Sequence, residues 1–148
     1  MRAIVALGSN LGDRWTNLAA ALEALRLLGW VAPSPLVMET PDESGSGPDY
    51  LNTVVSLETE LDDPCRLLEA LLRIELRLGR DRMQGRNAPR TLDLDLIEAG
   101  EFSGQWRWPS PEDLKLLGEE LTLELPHPRA AQRAFVRKPI AAMKQVME

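Results

Sequence analysis

The stretch YLNTVVSLETELDDPCRLLEALLRIELRLG, residues 50–79, changes its hydrophobic period halfway along. Over residues 50–60 the side chains alternate, with Leu51, Thr53, Val55 and Leu57 on one face and Tyr50, Asn52, Val54 and Ser56 on the other, which is the period of a strand. From Asp63 the period is helical. Asp63 is placed as an N-cap, Pro64 occupies the first helical position, and Leu67, Leu71, Ile74 and Leu78 form an apolar stripe that Gly79 ends. A strand feeding a capped helix is thus the unit around which the rest is laid out.

On the amino-terminal side, Ala3 to Leu7 is a continuous apolar run closed by Gly8, the pattern of a strand buried on both faces. From Asp13 the spacing of Trp15, Leu18, Leu22 and Leu25 predicts a helix with that stripe buried, and Gly29 is placed to end it. Residues 30–40 predict a weaker strand whose entry Pro33 and Pro35 make irregular. PDESGSGP, residues 41–48, is rich in turn formers and reads as a mobile loop. On the carboxyl-terminal side, residues 80–90 form a second loop and Thr91 to Ile97 a third strong strand. Further on, Trp106 and Trp108 are expected to cover a surface or an interface, and Pro109–Glu112 to start a short helix. LTLELPHPR (121–129) predicts a short strand and turn, and AFVRKPI (134–140) a last strand. The order is that of a βαββαβ, ferredoxin-like α+β fold in one domain, residues 1–148. Two helices cover one face of an antiparallel sheet and leave the other to a ligand.

Composition narrows the function. The chain has 148 residues, 44% hydrophobic and 27% charged, with a net charge of −6, the profile of a folded domain. No apolar run reaches the length of a membrane span and the amino terminus carries no basic leader, so a cytoplasmic protein without a membrane partner is expected. A single cysteine, Cys65, and a single histidine, His127, exclude an internal disulfide and any Cys-cluster or multi-His metal site. A bound metal would be held by carboxylates, which favours a hard cation such as Mg²⁺. The acidic balance argues against a nucleic-acid partner. The charge is nevertheless uneven: residues 73–90 hold six arginines (Arg73, Arg77, Arg80, Arg82, Arg86, Arg90) against Glu75 and Asp81, a local +4 in a chain that is otherwise −10.

That basic segment runs into TLDLDLI, residues 91–97. In a strand Leu92, Leu94 and Leu96 face the core, while Asp93 and Asp95 emerge together on the other face, roughly 6.5–7 Å apart. Alternation alone also fits the solvated face of an amphipathic strand. Like charges this close repel unless a cation neutralises them, and arginines beside paired carboxylates are what a metal–polyphosphate ligand requires. Tyr50 and Asn52 share a strand face and offer an aromatic plane beside an amide, a fit to a flat heterocycle as well as to ordinary packing. Glu75 lies on the helix row of Leu68 and Leu72, as a partner for an arginine or an acceptor for a ligand. His127 sits between two prolines near Arg129 and Arg133, in a structural turn or as a donor to phosphate.

Taken in order, ALGSNLGDR (6–14), PDYLN (48–52), RIELRLGR (73–80), PRTLDLDL (89–96) and LPHPRAAQRAFV (125–136) resemble the 6-hydroxymethyl-7,8-dihydropterin pyrophosphokinase family over roughly residues 3–140. The resemblance implies a ferredoxin-like enzyme of folate biosynthesis that transfers pyrophosphate from ATP to the pterin hydroxymethyl group and releases AMP. It implies two Mg²⁺ ions on Asp93 and Asp95, and phosphate contacts from Arg80, Arg82 and Arg90 that also stabilise charge as the bond breaks. His127 and Arg133 would brace the triphosphate, with Glu75 in the nucleotide pocket. Tyr50 and Phe135 would sandwich the pterin, Asn52 would bond its edge, and Thr40 and Pro41 would contribute backbone groups. Asp95 is a candidate acceptor of the hydroxyl proton. Partners would be small molecules only, and the protein a monomer or weak homodimer.

The chain departs from the family pattern at Asn87-Ala88, where Trp-Gly is usual, and at Met83, Leu72 and Met38; its segment from Gly100 to His127 is longer than usual. Two other readings remain at this point. One is a paralogue that binds pterin and ATP without transferring. The other is an RNA-binding ferredoxin-like module, which would need aromatic pairs on the open sheet face.

Overall fold

In the computed structural model, residues 1–42, 45, 47–79 and 92–147 are described. The loop read at residues 80–90 therefore lies outside the described residues, as do Thr91 and part of the 41–48 loop.

Four strands carry the scaffold: β1 (Arg2–Ser9), β2 (Gly29–Pro33), β4 (Tyr50–Thr59) and β5 (Asp93–Ala99), hydrogen-bonded in the order β2-β4-β1-β5, all antiparallel, with β3 (Met38–Thr40) also on β4. This is the α+β, ferredoxin-like arrangement. The expected single strand over residues 30–40 is two pieces, because Pro33 and Pro35 lack the N–H groups that continuous pairing needs. In the break, Ser34 donates its N–H to the Val54 carbonyl (2.9 Å).

Helix α1 (Arg14–Arg26) begins where Asp13 accepts the Thr16 N–H at 3.1 Å, a bond that also lowers the Asp13 pKa. Helix α2 (Pro64–Arg77) begins at Asp63, which accepts from Cys65 N at 2.8 Å, with Pro64 at its start as expected. Both helices lie on one sheet face, where Leu18, Ala21, Leu25, Leu67, Leu71 and Ile74 pack on Val5, Leu7, Val55, Leu57, Leu94 and Leu96. Two expectations for α1 fail. Trp15 is 61% exposed, outside the buried stripe, and the helix stops at Arg26, so Gly29 opens β2 instead of ending α1.

The largest difference is at the carboxyl end. AFVRKPI is not a strand; it opens helix α3 (Ala134–Met147), which carries Pro139 inside it. The proline disguised a helical spacing: Val136, Ile140 and Met143 lie along one side and pack on Ile4, Ala6, Val54 and Ile97. The second sheet face is therefore half covered, and Ser34 Oγ ties α3 to the sheet by donating to the Pro139 carbonyl at 2.7 Å.

Residues 104–125 form a separate hairpin, β6 (Gly104–Pro109) with β7 (Glu120–Leu125), joined through a 3₁₀ turn at Glu112–Leu117. Trp106 and Trp108, half-buried, pack against the main core and so cover a surface of the same chain. Trp108 Nε1 donates to Glu69 Oε2 (2.9 Å), and Glu69, buried in α2, is also held by Arg66 at 2.8 and 3.0 Å. This satisfied network docks the hairpin onto α2. No helix among the described residues is long and apolar enough to cross a membrane.

Candidate active site

The alternation of β5 has the consequence read from its sequence. Leu92, Leu94 and Leu96 are buried with the two helices, and Asp93 and Asp95 stand half-buried on the opposite face, beside Gly8 and Ala6 of β1. One row further, Gly8 is opposite Asn52 on β4. A cleft of about 730 Å³ opens above these residues. Thr40, Pro41, Tyr50, Asn52, Glu75, Asp93, Asp95, His127, Arg133 and Phe135 all line it, so the described candidate site residues are in one place, whereas Arg73 and Arg77 of the basic segment are elsewhere. Arg80, Arg82 and Arg90 lie outside the described residues.

At the sheet end of the cleft an amide and aromatic side chains share the wall. Asn52 Nδ2 donates to Thr40 Oγ1 at 2.8 Å, which fixes the orientation of the amide. A Cβ on Gly8 would come within 3.2 Å of Asn52 Oδ1 and 3.4 Å of the Tyr50 ring, so the glycine leaves the floor clear beneath both. Phe135 of α3 lines the same cleft as Tyr50, with the Arg133 guanidinium 5.7 Å from its ring centroid in a cation–π contact.

The charged middle has His127 as its only imidazole. Its backbone N–H is anchored on the Ile97 carbonyl (2.8 Å), and Nδ1 accepts the Arg129 N–H at 3.2 Å, so the neutral ring carries its hydrogen on Nε2. Burial, then Arg133 and Arg129, push its pKa below 6.5, against the opposing pull of Glu124 and Asp93. The ring is consequently a neutral donor at pH 7. Because the folded pKa is depressed, the unfolded chain takes the proton first; stability present above pH 6.5 is lost as pH falls through the folded midpoint. As His127 is the only histidine, its imidazole proton resonance reports this directly. A midpoint below 6.5 is expected, rising on Arg133→Ala; a midpoint above 6.5 in the intact protein would contradict it.

Glu75 has a role that its sequence position left open. It is 1% exposed, and its Oε2 accepts the Leu94 N–H at 2.7 Å, between Asp93 and Asp95. The carboxylate thereby ties the edge strand β5 to α2. The sequence also missed Asp42, Arg129, Leu117 and Leu121, which line the same cleft. For Leu121 a signal existed in the alternation of LTLEL; for the others none did, since their place depends on loop paths.

The fit to a hard divalent cation rests on Asp93 and Asp95. Among the described residues no cluster of three or more acidic, histidine or cysteine side chains is set to hold a metal. Two neighbouring carboxylates suit Mg²⁺, which takes one or two from the protein and the remaining oxygens from phosphate and water.

A ferredoxin-like sheet with paired carboxylates, a neutral imidazole donor and an aromatic slot in one cleft defines a small-molecule enzyme of the nucleotide-dependent transfer class. The family model for 7,8-dihydro-6-hydroxymethylpterin-pyrophosphokinase matches residues 4–145, and the chain belongs to that family. It is similar to proteins named 2-amino-4-hydroxy-6-hydroxymethyldihydropteridine pyrophosphokinase from several bacteria. With that of Pseudomonas aeruginosa it shares 39% identity over 95% of this chain and 78% of the relative. With that of Bacillus subtilis it shares 36% over 99% and 80%, and with that of Synechocystis 36% over 94% and 64%.

Proposed function

We propose that the protein transfers the pyrophosphoryl group of Mg-ATP to the hydroxymethyl group of 6-hydroxymethyl-7,8-dihydropterin, releasing AMP, as a step of folate biosynthesis. The observation that carries this reading is the continuity of the cleft: the Tyr50–Asn52–Phe135 slot and the Asp93–Asp95 pair open into the same space. What supports the family-level function is the match along nearly the whole chain.

In this reading the pterin ring lies between Tyr50 and Phe135, with Asn52 bonding its edge and backbone groups of Thr40 and Pro41 completing the slot. The pterin hydroxyl oxygen attacks the β-phosphorus of ATP. An O–Pβ bond forms, the bond from Pβ to the α,β-bridging oxygen breaks, and AMP leaves with the charge. Asp95 accepts the hydroxyl proton. His127 donates Nε2–H to a phosphate oxygen, and Arg133 adds positive charge beside it. Arg80, Arg82 and Arg90 supply guanidinium forks that take up charge as the bond breaks. Asp93 and Asp95 would hold Mg²⁺, two ions in the full complex, whose positive charge would neutralise and align the triphosphate. Glu75 keeps β5 in place on the nucleotide side. Little covalent work falls to the protein; positioning and electrostatic stabilisation carry the rate.

The same reading has only small molecules as partners, neither nucleic acid nor a membrane, and a monomer or weak homodimer in the cytoplasm; the net charge of −6 supports the exclusion of nucleic acid. The test is incubation with Mg-ATP and the dihydropterin, following AMP. Stoichiometric AMP and pterin diphosphate are expected, and no AMP above the rate without pterin would reject the assignment.

A further inference from the structure

The cleft differs chemically from end to end. Away from the sheet slot and the Asp93–Asp95 pair its walls include Leu68 and Leu72 of α2 and, from β7, Leu121 beside Glu120, Thr122 and Glu124; the 3₁₀ turn of the hairpin adds Leu117. That turn is held from several sides. Leu114 is fully buried, and Asp113 takes Nε and Nη2 of Arg73 on α2 at 2.7 and 3.2 Å. Ser110 closes the base of the segment: its N–H donates to the Glu119 carbonyl (2.9 Å) and its Oγ to the Gly118 carbonyl (2.6 Å). The result is selective, since Leu117 is turned into the cleft while its neighbour Leu116 is 65% exposed.

A nucleoside triphosphate is charged at one end and at the other carries a base with flat, largely apolar faces and a polar edge; Leu68, Leu72, Leu117 and Leu121 can meet the faces, and Glu120, Thr122 and Glu124 the edge. Resting on the reading of Mg-ATP as co-substrate, we propose that the Glu112–Leu117 turn is a wall of the nucleobase subsite and that Leu117 contacts the base. Part of the Gly100–His127 segment, longer than usual for the family, then belongs to the substrate site. Arg73 and Asp113, remote from the reacting atoms, act as positioning residues for it.

The test separates the base from the phosphates. Binding of Mg-ATP and of inorganic Mg-tripolyphosphate is measured by calorimetry on the wild type, Leu117→Ala, Leu117→Gln, Leu117→Met and, as control, Leu116→Ala, with melting curves for each. Loss of part of a leucine contact predicts Mg-ATP binding about five- to tenfold weaker in the alanine and glutamine variants. Tripolyphosphate affinity stays at the wild-type value, methionine restores ATP binding, and Leu116→Ala changes neither ligand. Unchanged ATP affinity in the Leu117 variants, or an equal loss for tripolyphosphate, overturns the inference. A wild type that binds Mg-ATP no more tightly than tripolyphosphate removes the base subsite itself, and one that binds neither overturns the functional reading beneath it.

Discussion

Asp95→Ala is expected to lower the rate of AMP formation by about a thousandfold or more, and Asp93→Ala to do nearly the same, with the protein still folded. Both carboxylates face the cleft from the strand whose other side, Leu94 and Leu96, is in the core. In the proposed reaction, removing either deletes half of the anionic pair that would hold the metal-bound triphosphate, and for Asp95 also the proposed proton acceptor. Stability is expected to change far less than activity, because the leucines on the buried side of the strand are untouched. Asp95→Asn separates charge from shape: the amide keeps the volume, and the activity is still lost. Initial rates with urea melts on the same preparations check this, and a variant retaining full turnover would sink the metal and base roles together.

Gly29→Ala is expected to act on the opposite property, destabilising the fold by about 2–3 kcal/mol and lowering the melting temperature by roughly 6–12 °C. A Cβ at this position would stand 2.0 Å from the Glu58 carbonyl oxygen and 2.9 Å from its carbon. Both are backbone atoms of β4, the strand that β2 pairs with through Gly29 and Thr59, so no side chain can swing aside. Either β2 moves off the sheet or the close approach is strained. The chemistry should survive at low temperature, because Gly29 pairs with one end of β4 and Tyr50 and Asn52 occupy the other, about 25–30 Å along the strand. An alanine variant as stable as the parent would show that the two strands can separate at no cost.

These predictions draw on different kinds of legibility. The face on which Asp93 and Asp95 emerge was plain in LDLDL, because alternation of Cβ direction is a local property of an extended chain. Asp63-Pro64 and Gly79 marked α2 for similarly local reasons, the capping of N–H groups and the restricted φ of proline. Gly29 carried an ambiguous signal. Glycine serves both at helix ends and where backbones touch, and only the approach of Glu58 shows which need applies here. Pro139 misled outright, since a proline within a helix costs a hydrogen bond that packing on Ile4 and Ile97 offsets. Trp106 and Trp108 were expected to cover a surface or an interface, and which one became clear only when Glu69, far along the chain, proved to be the hydrogen-bond acceptor of Trp108.

Periodicity and capping in the sequence are sufficient for the βαββαβ core and for two aspartates on one strand face, because they depend on residues within a turn or two of each other. The family's motif residues could likewise be named from the chain alone. That α3 closes half of the ligand face, that Glu75 bonds the Leu94 N–H, and that a docked hairpin brings Leu117 to the cleft all depend on which surfaces meet across long sequence separations. Such meetings are settled by shape and polar satisfaction summed over the whole fold, to which no local pattern is sensitive.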